Sequence, residues 1–489
     1  MKTRLLIFLM FGCISVFGQK NVFHDPAFWE EKPSIERIKG EISKGNSATI
    51  AGPYDADAVV YAINAHSTME TIQFMLSQKG NDINKIVSNG RTYLYSAASN
   101  ANIELMEYLI SKGAKTNLRD NFGYTVLSYA AAIGQTNTRV YDICIREGAD
   151  VVNEKVGGAN ALLLLAPYDK DFSLISYFIN KGVDVKSTDS IGKTAFDYAV
   201  KGGHIEVLKA LIAKGVKFNK DAILAASIGT YGSSGARLEL YKYLVSLNLN
   251  PNVISVSGEN VLHYIVRKPT QLDVINYFIE KGVEVNKANN EGITPLMYAA
   301  STNDDLATLT RLINLSKNLH QADKKGITAL AYAVRRNTPE IVKLLIDKGA
   351  DIKIVDSDGY NLAYYLIPTF AQNPKAFDVK LKLLEDKGFD IAATQKNGSS
   401  LYHLILVKNG LALLKRVERY NVDVNAKNKE GLTALHKAAM VAEDDTVLKY
   451  LVSIGAKKEL ITAFNETAYN LAKENEFLTK QHISIDFLK

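Results

Sequence analysis

The sequence predicts an all-α solenoid of about twelve helix-turn-helix repeats, with short β-hairpin-like turns and a cap at each end. Three observations predict it. Turn glycines recur at Gly90, Gly123, Gly158, Gly192, Gly258, Gly292, Gly326, Gly359, Gly398 and Gly431, with gaps of 33, 35, 34, 66, 34, 34, 33, 39 and 33 residues. The 66 is two periods with one glycine missing. A second series closes the repeats at Gly80, Gly113, Gly148, Gly182, Gly215, Gly282, Gly349, Gly388 and Gly455, with Asn248 and Asn421 in two of its slots and Ser316, a poorer fit, in a third. Asn is the other residue that tolerates a left-handed helix terminus, so this series reads as helix C-caps. Between the two series, apolar residues fall at helical spacing. Ile205, Leu208, Leu211 and Ile212 do so in "HIEVLKALIAKG".

From the N-terminus, residues 1–18 read as a secretory signal peptide. Lys2 and Arg4 precede an apolar run from Leu5 to Phe17, and Gly18 offers the cleavage point. The run is too short for a comfortable membrane span, which needs about 20 residues. Lipidation at Cys13 and an uncleaved anchor remain alternatives, although Phe11 is bulky for a lipobox. The export signal places the mature chain in the periplasm or outside the cell. Residues 19–51 form an N-terminal helical cap, in which "FWEEKPSIERIKGEISKGN" is more polar than the repeats. The array then runs over residues 52–477, and 478–489 is a C-terminal tail.

A repeat is most legible in "GITPLMYAA". Gly292 turns the chain, Thr294 caps the first helix and Pro295 suits its first position. Leu296, Ala299 and Ala300 face inward, with the alanines allowing close helix contact. Two repeats break the register. Residues 216–249 lack the turn glycine and carry "IGTYGSSGAR" between their helices, which makes 219–237 the weakest internal junction. The repeat from Gly359 is six residues longer, and its extra segment at 368–377 reads as a loop insertion stiffened by Pro368 and Pro374.

The pattern resembles the ankyrin repeat. The family signature Thr-Pro-Leu-His-x-Ala is similar to "TPLMYA" (294–299), "TALHKA" (433–438), "TALAYA" (328–333), "TAFDYA" (194–199) and "TVLSYA" (125–130), and its closing segment to "LLIDKGADI" (344–352). The resemblance covers nearly the whole mature chain and implies stacked helix pairs that bind proteins. It also implies that His263, His403 and His436, in the signature's His slot, hydrogen-bond within and between turns.

Composition bounds the function. Apolar residues make up 47% and charged residues 22%, as in ordinary folded chains. The net charge of +6 becomes +4 once Lys2 and Arg4 leave with the signal, too mild to argue for nucleic acid. No later segment is long and apolar enough to span a bilayer. Cys144, the one thiol of the mature chain, sits on an apolar helical stretch and reads as core. No nucleophile elbow, P-loop, Rossmann glycine pattern or metal-ligand spacing occurs, so neither an enzyme nor a cofactor or metal is expected. Tyr129, Tyr198, Tyr264, Tyr298 and Tyr332 share one repeat slot, which reads as a core stripe.

What remains is a non-catalytic protein-interaction scaffold. Its partner would meet the turn tips and the exposed face of the first helices. Candidate contacts are Lys201, Arg267, Lys268, Ser301, Thr302, Arg335 and Arg336 after the alanine pair, and Lys324 and Lys325 on a turn tip. In register, the cations would form a basic stripe on the concave face for an acidic partner, or a solvated face neutralised by Glu259 and Glu291. A second candidate is the aromatic tip Phe122 and Tyr124. A secreted effector of a host protein and an inhibitor or protector of an exported enzyme are the other two readings.

Overall fold

A computed structural model describes residues 21–230, 237–406 and 410–489. Residues 1–18, read above as a signal peptide containing Cys13, and most of the 228–237 insertion therefore lie outside the described residues. The chain divides into an N-terminal body ending at Asn219 and a C-terminal body starting at Lys220. The division falls in the repeat that lacks its turn glycine.

Both bodies are built from antiparallel helix pairs. The N-terminal body begins with a cap of helices Pro26–Glu30 and Ile35–Ser43 and continues through five pairs to Ile205–Ala213. The cap is sealed by aromatics. Phe23 and Trp29 are fully buried, Phe28 nearly so, and the Trp29 indole N–H donates to the Phe23 carbonyl at 2.9 Å. The C-terminal body holds eight pairs, from Ala222–Ile228 with Leu238–Ser246 to Ala468–Glu474 with Glu476–Lys480. Asn475 caps that last helix, and Leu478 and Leu488 are buried. The Lys458 ammonium also donates to the carbonyls of Phe487 and Lys489. A boundary at 477 thus cuts a helix, and 478–489 packs as part of the last repeat.

Local chemistry explains the helix starts. Thr294 accepts the Met297 N–H and Pro295 takes the first helical position. Asn248 and Asn421 adopt φ of 64° and 48°, as left-handed helix terminators do. Along Ile205–Ala213 the buried positions are Val207, Leu208 and Leu211, with Ile205 and Ile212 on the shoulders. Cys144 is fully buried, and burial pushes its thiol up to about 12.

The 368–377 segment is not a loop. The first helix runs through it as Leu362–Gln372 with Pro368 inside, and the second starts at Pro374 after the single residue Asn373. Proline is tolerated because the carbonyl it leaves without an N–H belongs to Tyr364, a residue on the exposed side of the helix.

No strand occurs among the described residues, only isolated antiparallel bridges such as Ala322 to Thr328 and Thr188 to Thr194 across the turns. Successive turns instead join tip to tip. The N–H groups of Asn290, Lys324, Ser357, Lys396 and Lys429 donate to Ser257, Glu291, Lys325, Gly359 and Asn397 carbonyls respectively, each at 2.9 Å.

The three signature histidines lie in the C-terminal body and are buried. Nδ1 accepts the N–H of Asn260, Ser400 and Thr433, which leaves Nε2–H to donate to the Ile293, Leu432 and Leu460 carbonyls of the following turns. Burial lowers all three pKa values, that of His263 to about 4. The unfolded imidazole takes its proton near 6.5, so stability is full above that pH and is lost as pH falls toward about 4. For His263 the loss is about 3 kcal/mol. Urea midpoints measured from neutral pH downward are expected to fall across this window, less steeply in His263→Gln; a pH-independent midpoint would contradict it.

Candidate protein-interaction face

The face starts from the turns. Asp323 Oδ1 accepts the N–H groups of Lys325 and Ile327 at 2.8 and 2.9 Å, which folds the turn around Gly326. Asp120, Asp189, Asn289, Asp356 and Asn428 do the same in their repeats. In three of these turns the second carboxylate oxygen takes a tyrosine hydroxyl nine residues on. Tyr198 donates to Asp189 at 2.9 Å, Tyr332 to Asp323 at 2.7 Å, and Tyr365 to Asp356.

The tyrosine stripe is consequently not core. Tyr129, Tyr198, Tyr264, Tyr298 and Tyr332 are half-buried, with rings lying on the first-helix face and hydroxyls tied to polar groups of the turns. A phenol with a buried ring still requires a partner for its oxygen, and the turn carboxylates supply it for four of the five, the Arg91 guanidinium for Tyr129. Burial, then hydrogen bonding to those carboxylates, raises the pKa of Tyr198, Tyr264, Tyr298 and Tyr332.

The candidate cations part into two groups. Arg267 is internally neutralised: its guanidinium meets Glu259 at 2.9 Å and lies 3.6 Å from the Tyr298 ring centroid. Glu259 also accepts the Tyr264 and Tyr298 hydroxyls at 2.7 and 2.9 Å. Burial works against its charge, but these hydroxyls and Arg267 hold its carboxyl below the ordinary value. Lys268 donates to the Ile228 carbonyl at 3.1 Å. Lys201, in the N-terminal body, lies 5.2 Å from the Tyr198 ring. Burial lowers the pKa of both lysines.

Lys324, Lys325, Arg335 and Arg336 are exposed and form no ion pair among the described residues. All four belong to one repeat. The lysines sit on its turn tip and the arginines end its first helix, Ala329–Arg336, so the two pairs are separated by about 12 Å of helix. The basic stripe is thus reduced to two patches on a single repeat. Thr302 is exposed, but Ser301, also expected on the surface, is buried.

In the N-terminal body, Phe122 is 62% exposed at its tip, with the Arg91 guanidinium 6.0 Å from its ring. Tyr124 is half-buried, and its carbonyl accepts the Tyr95 hydroxyl at 2.7 Å. Of this pair only Phe122 presents a free aromatic surface.

Three features escaped the sequence reading. One is the turn-acid and tyrosine pair, whose signal is the constant nine-residue spacing. Another is a set of amides that bind one repeat to the next. Asn303 Nδ2 donates to the Val266 and Lys268 carbonyls, Asn337 to those of Ala300 and Asn303, and Asn475 to those of Ala439 and Ala442, at 2.8–3.0 Å. In the long repeat Lys380 takes this role. Its side chain is buried, its Nζ donates to the Val334 carbonyl at 2.9 Å, and burial lowers its pKa to about 8. An open groove of about 480 Å³, lined by Leu406, Leu411, Val441, Ala442 and Val447 with Glu443 at its rim, was also not foreseen. Among the described residues no group of three or more His, Cys, Asp or Glu is placed to hold a metal ion, and no helix is long and apolar enough to cross a membrane.

Stacked helix pairs, joined turn to turn and presenting side chains from turns and first helices, define a repeat scaffold for protein interaction. The sequence matches the family of ankyrin repeats described as having 3 copies over residues 59–141, 224–310, 262–356 and 296–395, and that described as having many copies over 163–212. The chain belongs to the ankyrin-repeat family. Relatives include an ankyrin repeat protein of Fowlpox virus, 33% identical over 25% of this chain and 22% of its own length. An intracellular phospholipase A2 of Caenorhabditis elegans is 25% identical over 36% and 17% of the two chains, and human neurogenic locus notch homolog protein 1 is 28% identical over 28% and 5%. The matches span under a quarter of each relative's length.

Proposed function

We propose that this chain is an exported, non-catalytic binding scaffold that holds an acidic protein partner on the first-helix face of the C-terminal body. The observation that carries the reading is the pair Arg335 and Arg336. Neighbouring polar groups on that face are consumed internally, as Arg267 is by Glu259, whereas these two guanidinium groups form no ion pair among the described residues. Arginine presents a planar fork that fits carboxylate bidentately. The charge order at residues 1–18 supports export.

Affinity purification of the tagged chain from native envelope and medium tests both parts. One stoichiometric partner is expected with wild type at low salt, lost at raised salt and lost in R335E/R336E. A partner retained by that double variant removes the site. The recovered chain is expected to begin at Gln19; a chain beginning at Met1 removes the reading of a cleaved export signal.

A further inference from the structure

The repeat that follows Arg335 and Arg336 is the long one, and its six extra residues are divided between its two helices. Thr369 and Arg336 are each the eighth residue of their first helix. Helix Ala329–Arg336 ends there, while Leu362–Gln372 continues through Phe370, Ala371 and Gln372. The second helices differ equally, 12 residues in Pro374–Glu385 against 9 in Pro339–Asp347. At 1.5 Å per residue the long pair stands about 4.5 Å proud of the repeat before it.

The overhang is a built structure. Phe370 is half-buried, its ring meeting that of buried Phe377 edge-on at 5.4 Å. Ala371, Gln372 and Lys375 are exposed. Lys380 secures the overhanging pair to the end of helix Ala329–Arg336 through the Val334 carbonyl. The acids closest along the chain or across the Asn337–Asn303 bond, Glu340 and Asp304, form no ion pair with either arginine.

We infer that this overhang, carried by Phe370 and Ala371, is the side wall of a peptide groove whose floor is Arg335 and Arg336, and that it selects an acidic segment bearing one large apolar side chain. The inference rests on the acidic-partner reading above and adds a determinant to it. The floor supplies charge and bidentate geometry for carboxylates. The wall supplies apolar surface beside them, where an aromatic side chain loses contact with water.

Binding of two fluorescent probes to the mature full-length chain tests it: octaglutamate, and the same peptide with one central Glu replaced by Trp. Wild type is expected to bind the Trp peptide about tenfold more tightly. R335E/R336E is expected to bind neither. Ala371→Asp, an exposed position, and Phe370→Ala, checked for folding by circular dichroism, are expected to bind the two peptides equally. Equal affinities in wild type, or a preference that survives both wall variants, overturn the wall and leave the acidic site standing. Failure of both peptides to bind wild type, or binding that survives R335E/R336E, overturns the site and the wall together.

Discussion

Lys85→Ala is expected to destabilise the N-terminal body by about 3–5 kcal/mol, because it strands a buried charge. Asp57 is fully buried and serves two masters. One oxygen accepts the N–H groups of Val59 and Val60 at the start of helix Ala58–Asn64, and the other meets the Tyr93 hydroxyl and the Lys85 ammonium, both at 2.6 Å. Lys85 also donates to the Thr49 carbonyl and to Asn81, so its three protons are all taken. Removing the cation leaves the carboxylate with neutral donors in a site closed to water. Trp29, the chain's single tryptophan, lies in a cap helix that packs against Ala58–Asn64 and reports the event. Its fluorescence transition in urea is expected to move to lower denaturant in Lys85→Ala, and to recover in part when Asp57→Asn is added. A shift equivalent to under about 1 kcal/mol would show that the pair is not what holds this end together.

The second large effect is Gly326→Ala, with Gly349→Ala as its control. Both glycines have positive φ, +78° and +89°, so both substitutions incur about 1–2 kcal/mol of left-handed strain. Around Gly349 nothing lies within 4 Å of the added methyl group. At Gly326 the methyl would stand 2.8 Å from the Ser357 nitrogen, whose N–H bonds the Lys325 carbonyl across the turn-to-turn join. That contact is with backbone and cannot be relieved by a rotamer. Gly326→Ala is therefore expected to cost about 3 kcal/mol, including the weakened inter-turn hydrogen bond, against half that for Gly349→Ala. Equal midpoints for the two variants in chemical denaturation would mean that close turn stacking contributes nothing beyond the φ requirement.

Much of the fold was legible because its determinants are local. A glycine, a Thr-Pro cap and a closing Gly or Asn mark one repeat within about 33 residues, and repetition averages away the exceptions. Two readings failed for physical reasons that periodicity does not encode. The tyrosine slot has the right phase for the core, but phase does not say how far a ring reaches, and a phenol oxygen needs an acceptor at the surface. Pro368 read as part of a stiffened loop because proline lacks an N–H, yet the carbonyl it abandons belongs to exposed Tyr364. The candidate site was legible as a set of cations and illegible as a pattern of pairing. Arg267 and Arg335 look alike in sequence; only Glu259, folded back beside Tyr298, tells them apart.

Lys380 has a wider consequence. In three other repeats a short Asn amide after the first helix reaches a carbonyl of the preceding repeat, and the three additional residues of helix Leu362–Gln372 carry Asn373 away from that carbonyl. A lysine on the second helix, with its longer side chain, restores the same bond to Val334. Register in this array is thus kept by conserving an acceptor and letting the donor change, rather than by conserving residue count. A chain built this way can accept insertions of a helical turn as raw material for new surface, provided that some nearby side chain has the reach to close the gap.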